Sequence, residues 1–196
     1  MNKEYFFISK PRCASTHVFE GLTNWNDKIN GNKPYYHVPA ISLKNKFKEN
    51  YTTRFSFGIV RNPYDLVVSW YKEHKKERYE ENIKNFYSIS LDDWINKGCP
   101  THWKHFPFNP LLQHKWLYDN NDNILVSSVV KLENYNDEIV VLYEKLKKYL
   151  PDNVSIETIK QTRKNETNNS IVLTLKQKEK IYNMFKKDFE LFDYNK

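Results

Sequence analysis

YFFISKPRCASTHVFEGL, Tyr5 to Leu22, contains the local order from which the rest of this chain can be read. Tyr5-Phe6-Phe7-Ile8 is aromatic and β-branched and too short for a helix, so it reads as a buried strand. Pro11 breaks the run between two cations, Lys10 and Arg12. Cys13, Ala14, Ser15 and Thr16 are all small, and Thr16 is the expected N-cap of a helix through Val18, Phe19 and Leu22. Strand, small-residue loop and helix N-terminus is an order by which α/β folds hold anionic phosphate. Backbone N–H groups and the positive end of the helix dipole face the ligand, and Ser or Thr hydroxyls add donors. The plainer alternative is an ordinary strand–turn–helix with a capping threonine.

A second informative stretch is RFSFGIVRNPYDLVVSWY, Arg54 to Tyr71. Phe55 to Val60 reads as a strand, Asn62-Pro63 ends it, and Pro63 suits the first position of a new helix with Asp65 in its first turn. Arg61 then lies at the carboxyl end of a strand, where open α/β sheets bind ligands. Ser69 follows eight residues later, about two helical turns, and so shares a face with the helix start. The alternative for Arg61 is a helix-start ion pair with Asp65.

Pro11-Arg12-Cys13-Ala14-Ser15-Thr16 lacks the glycines and the Gly-Lys-Ser/Thr ending of a Walker A loop. It resembles the P-K-T-[GA]-[ST]-[ST] loop of sulfotransferases, closest to the P-K-T-A-S-T form of Golgi glycan 2-O-sulfotransferases. The run F-x-F-x-x-V-R-N-P-x-D-x-x-x-S-x-Y, about 45 residues on, resembles the second nucleotide motif of the same family. The end of the chain, Asp188-Phe189-Glu190-Leu191-Phe192-Asp193-Tyr194, is similar to the family's DF..FGY terminus, with Asp193 in place of glycine. The resemblance runs from residue 6 to 194.

This resemblance implies an α/β, P-loop-NTPase-like three-layer fold with a central, mostly parallel sheet flanked by helices. It implies a single sulfotransferase domain over residues 1–196. The implied co-substrate is 3′-phosphoadenosine 5′-phosphosulfate (PAPS), with 3′-phosphoadenosine 5′-phosphate (PAP) as product and no metal required. Arg12, Cys13, Ala14, Ser15 and Thr16 would hold the 5′-phosphosulfate, and Arg61 and Ser69 the 3′-phosphate. Arg163 and Lys164 would also contact the nucleotide, a solvated loop being the alternative there.

Sulfuryl transfer resembles phosphoryl transfer, an in-line displacement that rests on positioning and charge stabilisation. Arg12 stands where the family has lysine. A guanidinium neutralises leaving-group charge but does not readily give up a proton. Lys10 is the alternative cation, unless it faces solvent at the strand end. His37, in Pro34-Tyr35-Tyr36-His37-Val38-Pro39-Ala40, resembles the family's base-bearing segment between the two motifs, and imidazole suits base chemistry near neutral pH. Its alternative is packing among Tyr35, Tyr36 and Val38. His17, Glu20, His74, His102 and His105 are weaker candidates.

Elsewhere Ser42 to Tyr51 reads as one short amphipathic helix, with Leu43 and Phe47 four apart. Lys72 to Lys84 reads as the solvated continuation of the preceding helix, and Ser90 to Ile95 as a capped short helix. Gly98 to Pro110 is an irregular aromatic loop, read as a wall or lid for the acceptor. Cys99, His102 and His105 fit none of the common zinc spacings. Pro110 to Tyr118 reads as a helix and Ile124 to Leu132 as a strand. A helix starting near Glu133 has Ile139, Leu142, Leu146 and Tyr149 as its core face. Thr174 to Phe192 reads as the last helix.

The chain of 196 residues carries a formal charge of +7, which suits an anionic nucleotide but equally describes a soluble Lys/Asn-rich protein. Two cysteines make a disulfide framework unexpected. With no apolar run of membrane length and no room for a leader before the first strand, a soluble cytoplasmic protein is expected. The acceptor is read as a hydroxyl, on analogy a carbohydrate one, with neither nucleic acid nor membrane as partner. Competing readings are a nucleotide kinase-like phosphotransferase, which the missing Gly-Lys-Ser/Thr disfavours, and a non-enzymatic protein binding PAP or nucleic acid, for which no nucleic-acid signature is present.

Overall fold

The computed structural model describes residues 5–22, 37–75, 89–101, 103, 105–150, 152, 154–161 and 171–196. Along the chain these form β1 (Phe6–Ile8), α1 (Ser15–Leu22), α2 (Ala40–Phe47), α3 (Glu49–Thr52), β2 (Ser56–Val60), α4 (Pro63–His74), α5 (Leu91–Asn96), α6 (His114–Leu117), β3 (Ser128–Lys131), α7 (Tyr135–Leu146), α8 (Ile156–Gln161) and α9 (Leu175–Leu191). They divide into two compact units, residues 1–60 with 115–166 and residues 61–114 with 167–196.

The first unit holds a parallel sheet in the order β1-β2-β3. Phe6 to Ile8 pair with Ser56 to Gly58, and Phe57 to Val60 pair with Ser128 to Lys131. The central strand β2 is buried along its whole length, which is why Ser56-Phe57-Gly58-Ile59-Val60 reads as an apolar run rather than an alternating one. Phe7 stacks on Phe57 at 4.8 Å between ring centroids, and Phe6 packs against Phe47 and Tyr51. Helix α7 packs against β3, and α1 against α8. Gly58 meets a close neighbour: a Cβ there would lie 2.4 Å from Leu117 Cδ2. The α/β class and the parallel sheet flanked by helices are those expected.

In the second unit α4 and α5 pack against α9. Buried Leu66, Trp70, Trp94, Ile181, Phe185 and Phe189 supply the apolar side chains of these helices. Asn62 Oδ1 accepts from Tyr64 N at 2.9 Å, and Pro63 occupies the first turn of α4. Ser90 caps α5, its Oγ accepting from Asp93 N. Thr174 and Gln177 form a reciprocal capping box at the start of α9. At the other end Asp193 has φ 50 and Tyr194 N donates to Phe189 O at 2.9 Å, a Schellman-type ending. That ending explains why glycine suits position 193.

Several boundaries differ from the sequence reading. Thr16 is not the N-cap: α1 begins at Ser15, and its first bond runs from Val18 N to Ala14 O. The helix expected over Ser42–Tyr51 starts at Ala40 and breaks at Lys48, which has φ 50 and separates α2 from α3. Of Pro110–Tyr118 only His114–Leu117 is helical. The strand expected over Ile124–Leu132 is shortened to Ser128–Lys131: the ladder with β2 begins at Phe57 and Ser128, Ser127 N still donates to Ser56 O at 2.8 Å, and Ile124 forms an isolated antiparallel bridge with Tyr118. The expected helical continuation beyond Lys75, and Tyr35 and Tyr36 beside His37, lie outside the described residues.

Candidate active site

Between β1 and α1 the chain enters the left-handed region twice. The ring of Pro11 holds its φ negative, Arg12 has φ 63, Cys13 lies outside the left-handed region, and Ala14 has φ 54. Such alternation turns successive backbone N–H groups toward one side, the concavity that binds anions. The loop then runs into the N-terminus of α1, whose first-turn N–H groups have no acceptor one turn back within the helix. Ser15 is buried and Thr16 exposed.

Lys10 is not solvent-facing. It is 1 % exposed, and its Nζ donates to Cys13 Sγ at 3.6 Å inside the loop. Arg12, half-buried, stands two residues away. Cys13 is fully buried.

His37, remote in sequence, docks on the residue before Lys10. Its backbone N–H donates to Ser9 Oγ at 2.8 Å, and its Nδ1 lies 2.8 Å from Ser9 O. A carbonyl only accepts, so Nδ1 carries the proton and, in the neutral ring, Nε2 carries the lone pair. Trp116 meets the imidazole edge-on at 6.5 Å between centroids. His37 is itself left-handed, at φ 58. Of the seven left-handed non-glycine residues among those described, Arg12 and Ala14 lie in this loop and His37 is seated on Ser9 before it, and strain of this kind gathers at functional sites.

In the second unit Arg61 precedes α4 and Ser69 lies two turns along it, fully buried. The backbone of Arg61 is held at both ends by one side chain: Arg61 N donates to Gln113 Oε1 at 2.8 Å, and Gln113 Nε2 donates to Arg61 O at 2.6 Å. Gln113 N donates in turn to Asp188 Oδ2, and His114 N to Asp188 Oδ1, each at 2.8 Å. His114 Nδ1 completes the set at 2.6 Å from Asp188 Oδ1.

A family model described as the sulfotransferase family matches residues 18–195. The chain belongs to the sulfotransferase family. The matched span takes in Arg61, Ser69 and the Asp188–Tyr194 terminus of this sulfotransferase but begins two residues after Thr16, so it starts later than the resemblance from residue 6. No curated protein and no solved structure matches. Among the described residues no helix is long and apolar enough to cross a membrane.

Of the residues singled out in the sequence, the structure gathers Lys10, Arg12–Thr16 and His37 in the first unit and sets Arg61 just before α4 and Ser69 on its second turn. Arg163, Lys164 and His102 lie outside the described residues, as do the side chains of His17, Glu20 and His74. Sequence reasoning passed over Ser9, Trp116, Gln113 and Asp188. Ser9 is a small polar residue directly before the basic pair, which is a faint signal. Gln113 has no local pattern at all, and Asp188 was visible only as part of the terminal resemblance.

Proposed function

We propose that this sulfotransferase moves the sulfuryl group of PAPS to an acceptor hydroxyl, a carbohydrate one by family analogy, and that residues 1–196 act as one catalytic domain, since the family match runs through both units. The observation that carries the reading is the seat of His37 on Ser9, which fixes the tautomer a general base needs beside a loop shaped for an anion.

In the proposed reaction the acceptor oxygen forms a bond to sulfur as the bond from sulfur to the 5′-phosphate oxygen breaks. The acceptor proton passes to His37 Nε2, and PAP leaves with the added negative charge on its 5′-phosphate. Arg12 and the backbone of Cys13, Ala14, Ser15 and Thr16 hold the phosphosulfate, with hydroxyl donors from Ser15 and Thr16. Lys10 supplies the cation that a proton-donating role would require, because Arg12 stays protonated. Arg61 holds the 3′-phosphate through its guanidinium fork with Ser69 as a further donor, and Arg163 and Lys164 add positive charge. No metal takes part in this scheme.

Calorimetry tests the reading with PAP, ATP and AMP, with and without magnesium, on wild type and Arg61→Ala. The expected result is metal-independent binding of PAP well above AMP, lost in the variant. A preference for ATP with magnesium would replace the proposal with a kinase, and absence of nucleotide binding would leave a non-enzymatic protein.

A further inference from the structure

The β2–β3 register ends at Val60, one residue before Arg61. At Arg61 the side-chain amide of Gln113 makes the pair of bonds that a neighbouring strand would make, accepting from the N–H and donating to the carbonyl. Two such bonds to one residue fix the peptides on both sides of its Cα, and with them the direction in which Cβ leaves the chain. Gln113 is fully buried and cannot be exchanged for water.

The clamp is itself anchored. Asp188, fully buried within α9, receives Gln113 N on one carboxylate oxygen and both His114 N and His114 Nδ1 on the other. With both carboxylate oxygens engaged, the backbone at Gln113 is fixed before its side chain reaches Arg61. The order runs from a helix near the end of the chain, through Gln113, to Arg61, two residues before α4. A brace meant only to join these segments could have ended on any backbone group near α4.

We propose that Gln113, anchored by Asp188, is a positioning residue that aims the Arg61 guanidinium and so sets the preference for a nucleotide bearing a 3′-phosphate. This rests on the reading that Arg61 binds that phosphate. A guanidinium fork needs its angle as well as its charge to take a phosphate with two bonds. Loosening the clamp therefore costs affinity for the 3′-phosphate and leaves recognition of the rest of the nucleotide in place.

The test compares PAP with AMP, which lacks the 3′-phosphate, by calorimetry at fixed salt on wild type, Arg61→Ala, Gln113→Met and the double variant. Gln113→Met keeps the volume and removes both bonds; the loss of PAP affinity should be about tenfold, with AMP changed less than about twofold. In the Arg61→Ala background the same change should add little, because the two act as one unit. Equal losses for PAP and AMP, or effects that add fully in the double variant, would reduce Gln113 to a structural brace and overturn the inference. If wild type does not prefer PAP, or Arg61→Ala keeps that preference, the reading of Arg61 fails and this inference with it, a result visible without any change at Gln113. Should Gln113→Met not fold, Gln113→Asn carries the same expectation, since an amide one methylene shorter cannot span both backbone atoms of Arg61.

Discussion

Replacing His37 with asparagine separates a histidine that acts from one that only packs. The change removes the Nδ1–H bond to Ser9 O, which contributes about 1 kcal/mol. It also removes the edge contact with Trp116, a further ~0.5–1 kcal/mol. At φ 58 asparagine tolerates the left-handed conformation well, but histidine is also among the residues enriched there, so backbone relief offsets only part of this loss. The folded state should lose about 1–2 kcal/mol, a shift of roughly 2–8 °C in melting temperature for a chain of this size.

Activity should behave differently. Loss of a general base lowers the rate by ~10²–10⁴-fold, and the rise of rate with pH on the acid side should vanish in the variant. Thermal unfolding gives the first quantity, and PAP released from PAPS with a panel of glycan acceptors, across a pH series, gives the second. Nitrogen NMR of the wild-type ring adds a check that needs no acceptor: Nδ1 should carry the proton. A variant several kcal/mol less stable with full activity per folded molecule would refute the argument, as would a ring protonated on Nε2 alone.

Asp193→Gly should stabilise the chain by about 1 kcal/mol in chemical denaturation, because it relieves a left-handed aspartate at the end of α9; a loss would show that the Asp193 side chain has a role the backbone does not require. Gly58→Ala places a Cβ 2.4 Å from Leu117 Cδ2 and should cost about 1–3 kcal/mol, so an unchanged denaturation midpoint would contradict that close approach. Burial pushes the Cys99 thiol up to about 12 and the Tyr51 phenol up to about 12, from 9.0 and 10.0. The folded state thus holds these protons more tightly than the unfolded one. Their contribution is complete below about pH 9 and is lost as pH rises toward 12, so the urea midpoint should fall between pH 9 and 11, and a flat profile would refute the assignment. For the same reason Cys99 should resist alkylation at pH 8 until the chain is unfolded.

The local order of the chain was legible because short-range physics dictates it. The apolar runs at Phe6–Ile8 and Ser56–Val60 admit little but buried strands, Pro63 and Ser90 announce helix starts, and R-N-P-x-D-x-x-x-S at Arg61–Ser69 lies within the span matched to the family. Boundaries drifted where a backbone conformation overrode side-chain pattern, as at Lys48, or where strand pairing trimmed an apolar segment, as at Ile124–Leu132. The candidate residues of the Pro11–Thr16 loop could be named from sequence, but their relations could not.

Residue type alone left Lys10 either solvent-facing or inward, and left His37 either packed or active. Tertiary structure buried Lys10 against Cys13 and seated His37 on Ser9, a contact across 28 positions that no local pattern encodes. The same holds for Gln113 and Asp188, whose partners lie 52 and 75 residues away. Sequence by itself determined which chemistry-bearing side chains are present and which elements carry them. Only the folded chain decided which of them meet and which ring nitrogen carries a proton, because both depend on hydrogen bonds between segments that touch only after the sheet and its helices have packed.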